Sequence, residues 1–402
     1  MLNDLISKTT THFESTTTRG PIANAEACAA RKEELAARGQ AVEPDAEAGG
    51  VSVEKELGLL SELLLAPAAA LLPKGCPLLI VPHLSLQCVP FCALPLPCEG
   101  GGERARLVDE HPITIAPSLT VHRHLVHTAS KAAAAATPAP LSSSVVAGGA
   151  APSPSFELPA LPHASAEVAK VAAALGCEEL SGPKATAKAV GLQLTEGTHR
   201  VVHLACHARP RCLALTPLVS DSARTMAQAA RDAMDAALEM AATKGDDSAE
   251  AAAAAAEAKE IGEAAASATA EVEAAAALGP IGDGLIIMDA LSDWPLKGSP
   301  TVMLTGSHGG TGHVSHDSTL ALPRTLLCSG ARAVVASTHE VADEPAALLS
   351  AAFYAALLEQ PTLSQAAALQ KAMLATRQAD GGKWAHPAFW SGFALIGAAK
   401  GL

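Results

Sequence analysis

Aromatic residues are scarce in this chain: six Phe, three Trp and one Tyr make up 2% of 402 residues. A core built on stacked rings is excluded, so the 49% of residues that are hydrophobic must pack as aliphatic and alanine side chains. Basic charge is also short. Lys+Arg number 28 against 41 Asp+Glu, a net charge of −13, and such a chain grips a phosphate backbone poorly. No nucleic-acid partner is expected. No apolar run is long enough to cross a bilayer, which takes about 20 residues. The longest, Leu63 to Leu72, is interrupted by Pro67 and followed by Pro73 and Lys74. No secretory leader is visible, and no membrane partner is expected. Cysteines spaced as CxxC are missing as well. The nine cysteines are odd in number and lie among apolar neighbours, as at Cys88, Cys92, Cys206 and Cys328. They read as reduced thiols of an intracellular, cytoplasmic protein, not as a disulfide framework or a zinc site. No metal or other cofactor is implied.

What is present is an alternation of strand and helix. Residues 1–52 are polar without a sustained period and read as a disordered lead-in. Glu56 to Leu65 has the spacing of an amphipathic helix, stopped by Pro67 and Pro73. Pro77-Leu78-Leu79-Ile80-Val81-Pro82 reads as a buried central strand, and His111 to Ala116 as a second strand. Ser118 is a suitable N-cap for a helix reaching about Thr128. Lys131 to Pro140 reads as an Ala/Pro linker, dividing an N-terminal subregion (53–130, with a linker at 131–143) from a core over 144–402. Within that core, Ser144 to Gly149 is a strand, Ala164 to Leu175 a helix ended by Gly176, and Ala185 to Leu194 a helix. His199 to His207 reads as a buried strand ending in histidine. Further strands are expected at Pro300 to Thr305, Ala331 to Ser337 and Phe389 to Gly397. Helices are expected at Thr319 to Ser329, Glu344 to Leu358 and Leu363 to Ala375. The pattern implies an α/β fold with a mostly parallel sheet covered by helices on both faces.

One segment breaks the pattern. Between Asp221 and Gly279, 26 residues are alanine, and 12 acidic side chains face 4 basic ones. This is an Ala-rich, acidic insertion, helical by composition. It is either a solvated appendage or an arm that binds a partner.

In open α/β sheets, sites form at the carboxyl ends of strands. Two such ends carry reactive side chains, His207 and Ser307. A hydroxyl beside a histidine is the minimal arrangement for nucleophilic catalysis, and the glycines after Ser307 can offer backbone N–H groups to an oxyanion.

The residues around these points resemble the CHAT domain, a caspase- and separase-like module often fused to tetratricopeptide repeats. Val201-Val202-His203-Leu204-Ala205-Cys206-His207 is similar to that family's HxxxHG strand. Leu78 to Pro82 and Val89 to Pro95 resemble its "LLIVPDGPLHLLPFAALP" stretch, and Ile115 to Leu119 its "YAPSL" segment. Gly330 to Ser337 is similar to "GARSVVAS", and His386 to Phe393 to the opening of "HPYYWAAFVLIG". The resemblance runs from about residue 53 to the end, interrupted by the insertion.

The resemblance implies a cysteine-peptidase fold with a His/Cys dyad. The general base falls on His207. The family's "SACETG" falls on Thr305-Gly306-Ser307-His308-Gly309-Gly310, so Ser307 stands where the nucleophilic cysteine belongs. Ala208 replaces the glycine after the histidine. Ala208, Gly309 and Gly310 are the oxyanion-loop candidates. A thiol near pKa 8.5 is readily made thiolate by an adjacent histidine, whereas a serine hydroxyl needs an aligned base, an orienting group and a preformed hole. Two readings follow. One is a non-catalytic pseudopeptidase that keeps the groove and binds a protein or peptide, a tetratricopeptide-repeat protein among the candidates. The other is an active peptidase using a Ser307/His207 dyad.

Other features have plainer explanations. On a strand, Cys206 faces away from His207 and reads as a structural thiol. His203 and His207 share a face, but their spacing matches no zinc pattern. His308, His313 and His316 read as a solvated loop cluster. Gly309 to Gly312 lacks the lysine of a P-loop and reads as a turn. Asp343 and Glu344 are candidates for a pocket that takes a basic side chain, or for the cap of the following helix.

Overall fold

The computed structural model describes residues 2–13, 53–97, 105–135, 139–152, 161–209, 212–243, 270–306 and 321–398, with a few isolated residues between them. The chain opens with helix α1 (2–13) and α2 (Val53–Leu64), then strand β1 (Leu78–Ile80), α3 (Leu107–Glu110), β2 (Ile113–Ile115) and α4 (Leu119–Ala135). Next come β3 (Val145–Gly148), α5 (Ala164–Leu175), β4 (Glu179–Ser181), α6 (Ala187–Glu196) and β5 (Val201–Ala205). Two short strands, β6 (His207–Arg209) and β7 (Cys212–Ala214), precede α7 (Asp221–Thr243), α8 (270–276), β8 (Leu285–Ile287) and α9 (Met288–Asp293). The last part holds β9 (Thr301–Leu304), α10 (Ala321–Cys328), β10 (Ala333–Ser337), α11 (Asp343–Glu359), α12 (Gln365–Gln378), α13 (Pro387–Trp390) and β11 (Phe393–Gly397).

Eight strands form one sheet in the order β1-β2-β11-β10-β9-β5-β3-β4. Seven pairings join them, and all are parallel except β10 with β11. The sheet is therefore two parallel blocks meeting at one antiparallel seam. A second, three-stranded sheet, β6-β7-β8, is antiparallel.

Strand side chains alternate between two buried layers, as period two requires. Val201 and Ala205 of β5 face a layer formed with α1, α2, α5, α11 and α12. Val202, Leu204 and the following Cys206 face the opposite layer with α4, α6, α9 and α10. Local signals set the helix ends. Gly176 ends α5 in the left-handed conformation at φ 68. Thr186 caps α6 by accepting from the Ala189 N–H, and Ser364 caps α12 by accepting from the Ala367 N–H.

Several sequence expectations change. β1 is an edge strand, and Leu79 is 40% exposed. An apolar run between prolines suits an edge, where the missing N–H of proline breaks no ladder. α4 continues to Ala135, through the start of the expected linker, because alanine sustains a helix. The two subregions are not separate layers: β2 pairs with β11 at Ile115 and Ile396, joining both in one sheet. Within the expected lead-in, residues 2–13 are helical and bury Ile6 and Phe13. The rest of that segment lies outside the described residues. The terminal strand starts at Phe393, after the turn of α13. In the Ala-rich insertion, α7 and α8 are helical. Arg231 meets Glu273 at 2.7 Å between them, and Arg224 meets Asp283 at 2.7 Å.

Candidate functional site

The carboxyl ends of β5 and β9 lie side by side, as the register Leu204–Leu304 dictates. β5 stops at Ala205, two residues short of the expected end at His207. Cys206 is a bend and His207 opens β6. The face-sharing of His203 and His207 expected on one strand therefore does not carry across the bend. His207 is buried, and its neighbour Ala208 is half-buried.

Beyond β9 the chain passes directly over this bend. The Thr305 N–H donates to the Leu204 carbonyl at 3.2 Å, and the Gly306 carbonyl accepts from the Ala208 N–H at 2.9 Å. Gly306 has no room for a side chain: an added Cβ would stand 2.4 Å from the Cys206 carbonyl oxygen and 2.8 Å from its nitrogen. Only glycine lets the two backbones approach this closely. Ser307, Gly309 and Gly310, with His308, His313 and His316, lie outside the described residues. The last described residue before Ser307 is thus hydrogen-bonded to the residue after His207.

Cys206 is fully buried in the layer opposite β5's Val201 and Ala205. Burial, reinforced by nearby Cys212, pushes its thiol up to about 12, so it stays a protonated thiol at neutral pH.

Asp343 and Glu344 open α11, and both are engaged. The Asp343 Oδ2 accepts from the His163 N–H at 2.6 Å, capping α5 from outside. Burial raises its carboxyl above the ordinary value, while the His163 N–H pulls the other way. Glu344 pairs with Lys383 at 3.0 Å.

Behind β5 lies a cluster that motif reading passes over. His203 is fully buried, with its Nε2 at 3.2 Å from Glu167 Oε1 and its Nδ1 at 3.3 Å from the Tyr354 hydroxyl. Glu167 comes from α5 and Tyr354 from α11, so three elements meet on one imidazole. Burial first, then the Glu167 charge, holds the Tyr354 hydroxyl well above its ordinary value. Two signals in the sequence mark this cluster. Glu167 interrupts the buried stripe Ala164, Val168, Val171, Ala172 and Leu175, and Tyr354 is the chain's single tyrosine.

Among the described residues, no group of three His, Cys, Asp or Glu is arranged to hold a metal ion. No helix among them is long and apolar enough to cross a membrane.

Comparison with known proteins gives the same picture. A tetratricopeptide repeat protein 28 from Mus musculus is 26% identical over 237 residues, and the protein of that name from Homo sapiens is 26% identical over 239 residues. Each alignment covers 59% of this chain and 8% of the relative, so the chain spans less than a tenth of the length of the curated relatives it matches. The family model described as the CHAT domain matches residues 54–398. A mostly parallel sheet between two helical layers is the caspase-like architecture of that family. With matching residues running through almost the whole described sheet, the chain belongs to the CHAT domain family.

Proposed function

We propose that this chain is a pseudopeptidase: a CHAT domain that keeps the peptidase fold and binds a protein or peptide segment without cleaving it. The observation that carries this reading is the state of the oxyanion side. The Ala208 N–H, the donor next to His207, is spent on the Gly306 carbonyl at 2.9 Å. A tetrahedral intermediate needs such donors aimed at its oxygen, and each one missing costs about a hundredfold or more in rate. The serine at 307 compounds the loss. A hydroxyl is a far weaker acid than a thiol and depends more heavily on such donors. Asp343 and Glu344 support the same reading, because their carboxylates tie helices together instead of awaiting a basic substrate group. The relatives' printed name suggests a tetratricopeptide-repeat protein as the partner class. The cysteines buried at Cys88, Cys92 and Cys206 form no disulfide, which suits an intracellular setting.

The test is a peptidase assay on a diverse peptide library with wild type, Ser307→Cys and His207→Ala. The proposal expects no cleavage by wild type and none by His207→Ala. Cleavage by wild type that disappears in His207→Ala would overturn it and establish the Ser307/His207 dyad. Activity in Ser307→Cys alone would show that the groove survives and that the nucleophile is what was lost.

A further inference from the structure

The amino edge of the sheet, opposite His207 and Gly306, carries two arginines that no carboxylate meets among the described residues. Arg200 immediately precedes β5, and Arg332 lies just ahead of β10. Pro300 sits between them ahead of β9. The Thr301 N–H donates to the Arg200 carbonyl at 3.1 Å, and the Arg332 N–H donates to the Pro300 carbonyl at 2.9 Å. Val201, Thr301 and Ala333 form one row across the three strands. The two arginines thus leave the sheet from the same row, two strand spacings or about 10 Å apart. Two arginine side chains span such a gap.

Elsewhere in this acidic chain four partly buried arginines meet acids. Arg106 meets Glu54 at 2.5 Å, Arg377 meets Asp109 at 2.6 Å, and Arg224 and Arg231 meet Asp283 and Glu273 at 2.7 Å. Arg200 and Arg332 form no ion pair among the described residues. The Arg332 Nη2 donates only to the Thr301 hydroxyl at 3.3 Å, and its Nε is buried with no acceptor among the described residues. Burial, then the neighbouring Arg200 charge, pushes Arg332 down to about 10. An uncompensated pair of this kind is unfavourable, and an anion removes the penalty. A third positive element adds to it. Gln365, the first residue of α12, donates from its Nε2 to the same Thr301 hydroxyl at 2.8 Å, so the positive end of that helix lies beside the same residue.

We propose that Arg200 and Arg332 form an oxyanion-binding site at the amino edge of the sheet, which takes a phosphate or carboxylate group of a ligand between their two guanidinium forks. Arginine suits this role because its planar fork can donate two parallel hydrogen bonds to such a group. The site lies at the opposite edge from the groove, so an occupant there leaves the groove open.

The test is thermal unfolding of the full chain in millimolar phosphate or acetate against chloride at matched ionic strength. Wild type is compared with Arg200→Gln, Arg332→Gln and the exposed control Arg123→Gln. Phosphate also stabilises proteins without binding, so only the rise lost in the two site variants counts. The expected result is a saturable rise of a few degrees in wild type and Arg123→Gln that vanishes in both site variants. A rise with phosphate identifies a phosphorylated ligand, and one with acetate alone identifies a carboxylate; both uphold the site. No rise with either anion, or a rise undiminished in both variants, overturns it. The ligand-free melting temperature gives a second readout. Removing an unpaired like charge should hold or raise it in Arg332→Gln, whereas a purely structural arginine would lower it.

Discussion

Replacing Gly306 with alanine would put the new methyl 2.4 Å from the Cys206 carbonyl oxygen, 2.6 Å from its carbon and 2.8 Å from its nitrogen. All three contacts are to backbone, so no side chain can rotate out of the way. Either β9's exit or the bend after β5 must move, and overpacking of this kind costs about 1–3 kcal/mol. The Ala208 N–H to Gly306 carbonyl bond goes with it. Its loss adds about 1 kcal/mol if water takes over, and up to about 3 if the amide stays buried and unpaired. The combined expectation is a loss of about 2–6 kcal/mol, a large fraction of the roughly 5–15 kcal/mol that holds a domain together. Gly58 is the internal contrast. It lies within α2, nothing stands within 4 Å of an added Cβ, and alanine there should gain about 0.5–1 kcal/mol. Urea unfolding with linear extrapolation measures both, provided the slopes match wild type. If Gly306→Ala lies within about 0.5 kcal/mol of wild type, the close approach of the two strand exits is not a constraint. Residue 306 would then not be what holds the chain against His207.

Three further outcomes are expected. Burial holds Tyr354 protonated well above pH 10; since only the unfolded chain ionises its tyrosine just above that value, stability falls as pH rises past 10. Because Tyr354 is the only tyrosine, tyrosinate absorbance should rise only together with loss of near-ultraviolet circular dichroism, and a rise in the folded state would contradict its burial. His339 has its imidazole pushed down from 6.5 to about 4 by burial, against a hydrogen bond involving Ala388. The unfolded chain takes up that proton first, so stability is full above about pH 6.5 and falls by on the order of 3 kcal/mol down to about pH 4; His339→Gln should flatten that slope in acid titrations of urea midpoints. Glu167→Ala should cost about 1–3 kcal/mol, because it leaves the buried His203 imidazole without its polar neighbour, and Glu167→Gln should cost distinctly less in the same urea assay.

Local signals made much of the fold readable. α5 announces itself by its buried stripe and by Gly176, and β3 by an apolar run that ends in Gly149 at φ 60. What escaped was decided at a distance. An apolar run such as Leu78 to Ile80 looks the same at a sheet's edge as at its centre; only the partners differ. β5 stops at Ala205 although the run continues through Cys206, because Gly306, 100 residues later, lies across that bend. In residues 2–13 the buried positions Ile6, Thr9 and Phe13 keep helical spacing, but threonines dilute the apolar signal. The motifs pointed to His207 and to the run around Gly306, whose strand exits lie side by side in the fold. The use of the Ala208 N–H was not, since a backbone hydrogen bond leaves no mark in side-chain identity. Nor was the engagement of Asp343, whose partner His163 lies 180 residues earlier.

The antiparallel seam bears on the order in which the molecule can be made. β11 separates β1 and β2 from the rest of the sheet, and its contact with β2 joins Ile396 to Ile115. On a ribosome, the first two strands emerge well before β11 and then wait with an open flank until residues 393–397 have been synthesised. The five strands from β3 to β10 can align among themselves in the meantime, but nothing in that block can stand in for β11. Pairing across so long a loop is slow, and the waiting edge is exposed to other chains. Pro77 and Pro82, on either side of β1, limit how far a stray strand could extend along that edge before β11 arrives.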